Sequence, residues 1–136
     1  MIASELDFVD VLGDFLRSDD YKIRLEVPNM GQSADIVASR GRYVTVIEAK
    51  LSDWVRGLRQ CVAHEHVADF VCLALAREHA SSELKGKISE LGYGLILCSP
   101  KGRECRWEIK PSRNQRVWKP QRRYWSRALR NIRYAD

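Results

Sequence analysis

Three side chains suited to phosphate chemistry lie near one strand end of the predicted fold. The run TVIEAKLSDW, residues 45–54, places Glu48 and Lys50 two apart after an apolar stretch, and Asp35 lies in the preceding stretch. Because side chains alternate faces along a strand, Glu48 and Lys50 project to the same side. A two-residue turn at Arg40-Gly41 would make Asp35 a diagonal neighbour of Glu48, about 7 Å away. One sheet face is therefore predicted to gather an aspartate, a glutamate and a lysine.

Two carboxylates on a covered sheet face predict a bound divalent cation. They are costly to bury and repel each other, and a hard cation with oxygen ligands removes the conflict. We expect Mg²⁺ or Mn²⁺ to take one oxygen each from Asp35 and Glu48 and the backbone carbonyl of Ala49, with Lys50 directed at the attacking water. The alternative is a plain ion pair between Glu48 and Lys50, although burying such a pair for stability alone is seldom favourable.

Helices are predicted where apolar residues recur at helical spacing behind a capping residue. The second predicted helix follows Lys50 directly and would therefore lie beside the three candidate side chains. The predicted helices are residues 3–16 with Ser4 as N-cap, the segment from Ser52 or Asp53 to near Asp69, the segment from Ser81 or Ser82 to Gly92, and residues 124–132.

Strands are predicted from alternation and from short apolar runs bounded by turn residues. They are residues 21–27, 33–38, 43–50, 70–75, 93–98 and 106–110. The first three are expected to form an antiparallel meander, and the runs that follow helices are expected to be parallel crossover strands. The fold class is therefore α/β, with a central mixed β-sheet flanked by helices.

The pattern of Asp35, a hairpin, Glu48-Ala49-Lys50 and a capped helix carrying Gln60 resembles the PD-(D/E)xK nuclease superfamily, which has the restriction-endonuclease-like fold. The resemblance covers roughly residues 3–98. It departs at Ala34, where the superfamily name has proline, a position that supplies no ligand. It implies metal-dependent hydrolysis of DNA phosphodiesters by an endonuclease or junction resolvase. Asp35 and Glu48 would hold Mg²⁺ or Mn²⁺, and Lys50 would orient the water and offset charge.

The resemblance also directs attention to other polar residues. In several branches of the superfamily a glutamine at the position of Gln60 faces the site, and a surface glutamine is the alternative. Glu26 would be an additional acid or a solvated strand residue, and Glu5 a first-turn acid favoured by the helix dipole. We expect His64 on the surface, and all four cysteines in structural roles.

Basic charge is concentrated at the C-terminal end. The net charge of the chain is +5, but residues 1–100 carry −4 and residues 101–136 carry +9. Arginines with aromatic residues between them are typical of segments that grip nucleic acid without reading its sequence. A solvated tail and a helix docked on the domain are the alternatives. The candidate nucleic-acid-binding residues are Arg113, Arg116, Lys119, Arg122, Arg123 and Arg127.

These observations predict a nuclease-like domain at residues 1–110 and a basic extension with a helix at residues 111–136. No apolar run has the roughly 20 residues of a membrane span, and the N-terminus lacks a signal-peptide pattern, so we expect a cytoplasmic protein without a membrane partner. Its expected partner is DNA, and a homodimer would present two sites. The rival interpretation is a catalytically inactive module of the same fold that binds nucleic acid or a partner protein.

Overall fold

Capping residues and glycines define the element ends in the computed structural model, which covers residues 1–136. The Ser4 hydroxyl accepts a hydrogen bond from the Asp7 amide at the first helix, and Gly92 ends the third helix with φ 74°. The elements are α1 (Glu5–Arg17), β1 (Lys22–Val27), β2 (Ala34–Arg40), β3 (Tyr43–Lys50), α2 (Trp54–Val62), β4 (Phe70–Leu75), α3 (Ser82–Leu91), β5 (Gly94–Cys98), β6 (Cys105–Ile109) and α4 (Lys119–Leu129).

The six strands form one sheet in chain order, β1 to β6. β1, β2 and β3 are an antiparallel meander, β3, β4 and β5 are parallel, and β6 is antiparallel to β5. The predicted fold class is therefore confirmed: the chain is α/β, with an open mixed sheet flanked by helices.

Each face of the sheet carries its own apolar core, because successive side chains point to opposite sides. On one face Phe8 of α1 packs with Ile47 and the residues around it. On the other face Leu73, Ile88 and Trp125 belong to the core beneath α2, α3 and α4. The central strands are thus covered on both sides, which explains their continuous apolar runs.

The β2–β3 register differs from the predicted one by two residues. Arg40 pairs with Tyr43, so the two-residue turn begins at Gly41, whose φ of 61° suits the first position of such a turn. A shift of two residues keeps every side chain on its face. The pairing of β2 with β3 ends at Ile36 and Ile47, so the predicted diagonal pairing of Asp35 with Glu48 does not form.

β1 changes face at Glu26, which has φ 49°, a left-handed conformation that is rare outside glycine. Ile23 packs in the core beneath α1, whereas Val27 packs in the core on the other face. The alternation of apolar residues along residues 21–27 predicts one shared face for Ile23 and Val27, and this prediction is wrong because the positive φ of Glu26 breaks the alternation.

α2 ends at Val62 rather than near Asp69. The Asp69 amide donates to the Val44 carbonyl at 3.0 Å, and its Oδ2 accepts from the Val44 amide at 2.8 Å. These bonds fix Asp69 at the entry to β4, so the chain must leave the helix several residues earlier.

Residues 111–136, predicted as an extension, pack against the sheet and its edge. Trp125 and Leu129 are 3% and 5% exposed, within the core beneath α4. The Ala135 amide donates to the Ile23 carbonyl at 2.7 Å, which covers part of the free edge of β1. The segment is therefore docked on the domain and is not a solvated tail, while the exposed face of α4 stays open to other contacts.

α4 begins at Lys119, earlier than the predicted start at Tyr124, and Pro120 is compatible with its first turn. Among all the helices, none has both the length and the apolar character needed to cross a membrane.

Two of the four cysteines are free thiols and two form a disulfide. Cys61 and Cys72 are free and buried, as expected. Cys98 and Cys105 also have a structural role, but as a disulfide between β5 and β6, where the register places them opposite each other.

Candidate active site

The candidate site lies where β2 and β3 separate at one end of the sheet. Their pairing stops at Ile36 and Ile47, and beyond it the Asp35 Oδ2 accepts a hydrogen bond from the Ala49 amide at 2.8 Å. The N–H and C=O of a strand residue point to the same side, so the Ala49 carbonyl faces the same opening. The gap therefore brings a carboxylate and a backbone oxygen together.

Asp35 and Glu48 are mutually unfavourable as two charged groups. The pKa of Asp35 is raised to about 7, first by burial and then by hydrogen bonding to and repulsion from the Glu48 carboxylate, with the Ala49 amide and Lys50 opposing the shift. Burial also raises the pKa of Glu48, which is 1% exposed, although Asp35 and the Lys50 ammonium oppose that shift. The site thus holds a buried carboxylate, Glu48, and a second carboxyl group, Asp35, whose pKa lies near neutral pH.

Lys50 closes the site from the side of α2. Its side chain is 6% exposed, and its Nζ lies 3.8 Å from the Glu5 Oε1. Gly57 of α2 makes room for it, because a Cβ there would lie 3.1 Å from the Lys50 Cγ and 2.5 Å from the Leu73 Cδ1. Glu5, which the sequence placed as a first-turn acid, is therefore also part of the site.

The site opens into a cleft of about 380 Å³ between α1 and the end of the sheet. The positive φ of Glu26 accompanies its place on the cleft wall, where its side chain is exposed. Backbone strain of this kind tends to persist where the surroundings impose it, and it is frequent at functional sites. The residues lining the cleft are Glu5, Leu6, Val9, Leu25, Glu26, Asp35 and Ala49.

His64 is a site residue that the sequence analysis missed. It is fully buried, and its Nε2 lies 2.6 Å from the Glu48 Oε1, while the Asn29 Nδ2 lies 2.9 Å from its Nδ1. The expectation of a surface histidine is therefore wrong. Burial lowers the pKa of His64 to about 4, with Asp35 opposing that shift.

Gln60 lies on the sheet-facing side of α2, three residues after Gly57 and four before His64. Its Oε1 is buried and has no hydrogen-bond donor. No direct bond joins it to Asp35 or Glu48. The geometry thus supplies an unsatisfied acceptor on the helix that covers the site, rather than a surface glutamine.

The side chains at this site supply only part of the ligand set that a divalent cation needs. No group of three or more His, Cys, Asp or Glu side chains is arranged to hold a metal ion. Mg²⁺, however, is commonly held by one or two carboxylates, with water and substrate phosphate in the other positions. Asp35, Glu48 and the Ala49 carbonyl supply such a set, and the raised pKa of Asp35, to which repulsion by Glu48 contributes, marks a conflict that a cation would relieve.

The candidate nucleic-acid-binding residues do not gather at this end of the sheet. Arg113 stacks on Tyr43, at the start of β3, so it lies about 23 Å along the strand from Lys50. Arg116 pairs with Glu65 at 3.1 Å.

The remaining four basic residues belong to α4. Arg122 is half-buried and pairs with Asp69 at 3.1 Å, so it ties the helix to the sheet. Lys119, Arg123 and Arg127 are exposed and make no ion pair. These three form the free basic surface of the segment.

No family model matches the chain, and no curated protein matches it. Among solved structures, the SPO1766 protein of Silicibacter pomeroyi, of unknown function, is 15% identical, with a TM-score of 0.67 over 96% of this chain and 90% of its own. An XisH family protein from Nostoc punctiforme is 17% identical, with a TM-score of 0.57 over 76% of this chain and 98% of its own. At these identities the likeness shows a shared fold alone.

Proposed function

We propose that the protein is a metal-dependent nuclease of the PD-(D/E)xK type that hydrolyses phosphodiester bonds in DNA. The observation that carries the proposal is the convergence of Asp35, Glu48 and Lys50 at an open sheet end. A buried carboxylate beside a half-buried one weakens a fold unless the two have a partner of opposite charge. The neighbouring Lys50 and the open cleft suit a pair of carboxylates that binds a cation and receives a phosphate group.

Each residue has a separate task in this proposal. Asp35 and Glu48 each present one oxygen to the cation, and the Ala49 carbonyl presents a third. Bound Mg²⁺ or Mn²⁺ would lower the pKa of a water molecule and stabilise the charge that develops on the phosphate.

The remaining polar groups act on the water and the phosphate. The Lys50 ammonium orients the water and offsets negative charge in the transition state. Gln60, whose Oε1 lacks a donor, accepts a hydrogen bond from water in the site. Glu26 is the additional acid on the cleft wall.

DNA approaches across the outer face of α4. Arg123 and Arg127 are exposed beside Trp125, whose Nε1 donates to the Pro28 carbonyl in the loop next to Asn29. Contacts of this kind neutralise phosphates without reading bases, so the affinity falls steeply with salt.

The double change Arg123→Gln/Arg127→Gln tests this surface. We expect it to lower the slope of log affinity against log salt by about 2, because each phosphate contact contributes about 1. Lys101→Gln, in the β5–β6 turn and outside the C-terminal segment that carries α4, is the control and should leave the slope unchanged. Fluorescence anisotropy with a labelled duplex measures it, and equal slopes for all three proteins would count against an α4 interface.

A homodimer and a cytoplasmic location complete the proposal. A domain of this size seldom encloses a duplex alone, and two symmetric copies present two sites. Sedimentation during cleavage tests the dimer.

The cysteines bear on the proposed cytoplasmic location. Buried free thiols at Cys61 and Cys72 suit a reducing compartment, whereas the Cys98–Cys105 disulfide is more common outside it. Alkylation of thiols at cell lysis, followed by mass spectrometry, decides between the two compartments: alkylated Cys98 and Cys105 indicate a reducing one, and an intact disulfide indicates an oxidising one.

The activity is tested by incubating wild type and Lys50→Ala with labelled linear, nicked, branched and single-stranded DNA plus Mg²⁺ or Mn²⁺. We expect metal-dependent cleavage by wild type and at least a hundredfold loss in the variant, because charge stabilisation of this kind contributes about 10²- to 10³-fold. Lys101→Ala, in the β5–β6 turn, is the matched control.

The second candidate is a binding module of the same fold without cleavage activity. The observation that favours it is that Glu48 already accepts a short hydrogen bond from buried His64, and no three side chains form a metal group. Binding of DNA or a partner protein without cleavage of any substrate would select this alternative.

A further inference from the structure

Asn29 and His64 form a buried hydrogen-bonded chain that ends on Glu48. Their exposures are 3% and 0%, and the chain runs from the Asn29 amide through the imidazole to the Glu48 Oε1. We propose that Asn29 and His64 are positioning residues that hold Glu48 as a one-oxygen ligand for the divalent cation. This inference rests on the proposed function, and it assigns a task to two residues outside the proposed ligand set.

The contacts of Asn29 determine which nitrogen of His64 carries the proton. The Asn29 Nδ2 lies 2.9 Å from the His64 Nδ1 and 3.3 Å from the Ala63 carbonyl oxygen. Nδ2 has two hydrogens and no lone pair, so both partners must be acceptors. A reversed amide would set its oxygen against the Ala63 carbonyl. Nδ1 is therefore the acceptor, and the hydrogen of the neutral ring is on Nε2, which donates to Glu48.

The same geometry excludes a doubly protonated ring, because an Nδ1–H would face the amide hydrogens of Asn29. Glu48 thus receives a neutral hydrogen bond and keeps its full negative charge for the cation. One of its oxygens is engaged at 2.6 Å, and the other remains available toward Asp35. Outer partners that orient a ligating carboxylate typically change metal affinity by about 10- to 100-fold.

The loop that carries Asn29 is itself held in place. The Trp125 Nε1 donates to the Pro28 carbonyl at 3.1 Å, and the Gln32 amide donates to the Asn29 carbonyl at 3.0 Å. Met30 and Gly31, at the loop tip, have positive φ values of 50° and 86°. Because both ends of the loop are tied, the amide of Asn29 is presented to His64 in one orientation.

Mn²⁺ affinity of the full chain, measured by calorimetry, tests the role of His64. We expect His64→Phe to bind Mn²⁺ about 10- to 100-fold more weakly than wild type. His66→Phe, two residues on and exposed, is the matched control and should bind like wild type. If wild type binds and His64→Phe binds equally well, the inference falls and the proposed function stands. If wild type does not bind Mn²⁺ at all, the proposed function falls and the inference falls with it.

A second measurement does not depend on the folding of His64→Phe. Nitrogen-15 NMR of the metal-free wild type should show the His64 ring as the Nε2–H tautomer. Asn29→Asp places an acceptor against Nδ1, so it should draw a proton to that nitrogen and weaken Mn²⁺ binding as well. An Nδ1–H tautomer in wild type, or unchanged Mn²⁺ affinity in Asn29→Asp, would show a merely structural chain and overturn the inference.

Discussion

Asp35→Asn should stabilise the metal-free protein above neutral pH. The isosteric amide oxygen still accepts the Ala49 hydrogen bond, and the charge opposite Glu48 disappears. The pKa of Asp35 is about 7 in the folded chain against 3.8 as its ordinary value. At 1.36 kcal/mol for each pKa unit, ionising it costs the fold at most about 4 kcal/mol. The cleft is open to water, so we expect about 2 kcal/mol.

The pH dependence has a defined sign. Between pH 4 and pH 7 the folded chain retains a proton on Asp35 that the unfolded chain has released, so the free energy of unfolding falls as pH rises through this window. Below pH 4 both states are protonated and the contribution is absent. In Asp35→Asn this fall disappears, so the two proteins should differ little at pH 4 and most at pH 8.

Urea unfolding at pH 4, 6 and 8 with a chelator measures the difference between the two proteins. Asp10→Asn, exposed on α1, is the control and should follow wild type throughout. Added Mn²⁺ should raise the free energy of unfolding of wild type and not of Asp35→Asn, because a cation stabilises only a folded protein that binds it. Parallel pH profiles for wild type and Asp35→Asn would refute the claim that Asp35 is an electrostatically strained carboxyl.

Two further changes test the packing that positions the site. Trp125→Ala should lower the free energy of unfolding by about 3–5 kcal/mol, since the indole is 3% exposed in the core, and a loss below about 1 kcal/mol in urea unfolding would show that α4 is only loosely docked. Gly57→Ala should destabilise by about 1–3 kcal/mol through its clash with Leu73, whereas Gly86→Ala, with nothing within 4 Å, should gain about 0.5–1 kcal/mol; equal effects of the two in the same assay would contradict the tight approach of α2.

The fold was predictable because its signals are local and consistent. β3 and β4 match the predicted bounds at both ends, since apolar runs are bounded there by turn residues and a cap. The β2–β3 register was not predictable from the presence of Gly41 alone, because a glycine fits either central position of a two-residue turn. Along the paired residues of β2 and β3, a two-residue shift leaves every side chain on its predicted face.

The part of the site that escaped prediction depends on distant contacts. Asn29 and His64 meet only because a loop after β1 and a turn after α2 pack together, and neither has a motif. One signal was present: His64 follows buried Cys61 by three residues, so it lies on the buried side of α2. The prediction of a longer helix, reaching to near Asp69, obscured it. The positive φ of Glu26 likewise reflects the surroundings and not the residue type.

A crystal structure obtained with Mn²⁺ tests the central claim most directly. We expect an anomalous difference peak between the carboxylates of Asp35 and Glu48, within about 2 to 2.5 Å of one oxygen from each and of the Ala49 carbonyl. Manganese found only at exposed carboxylates elsewhere, with the Asp35–Glu48 gap occupied by a shared proton, would contradict it.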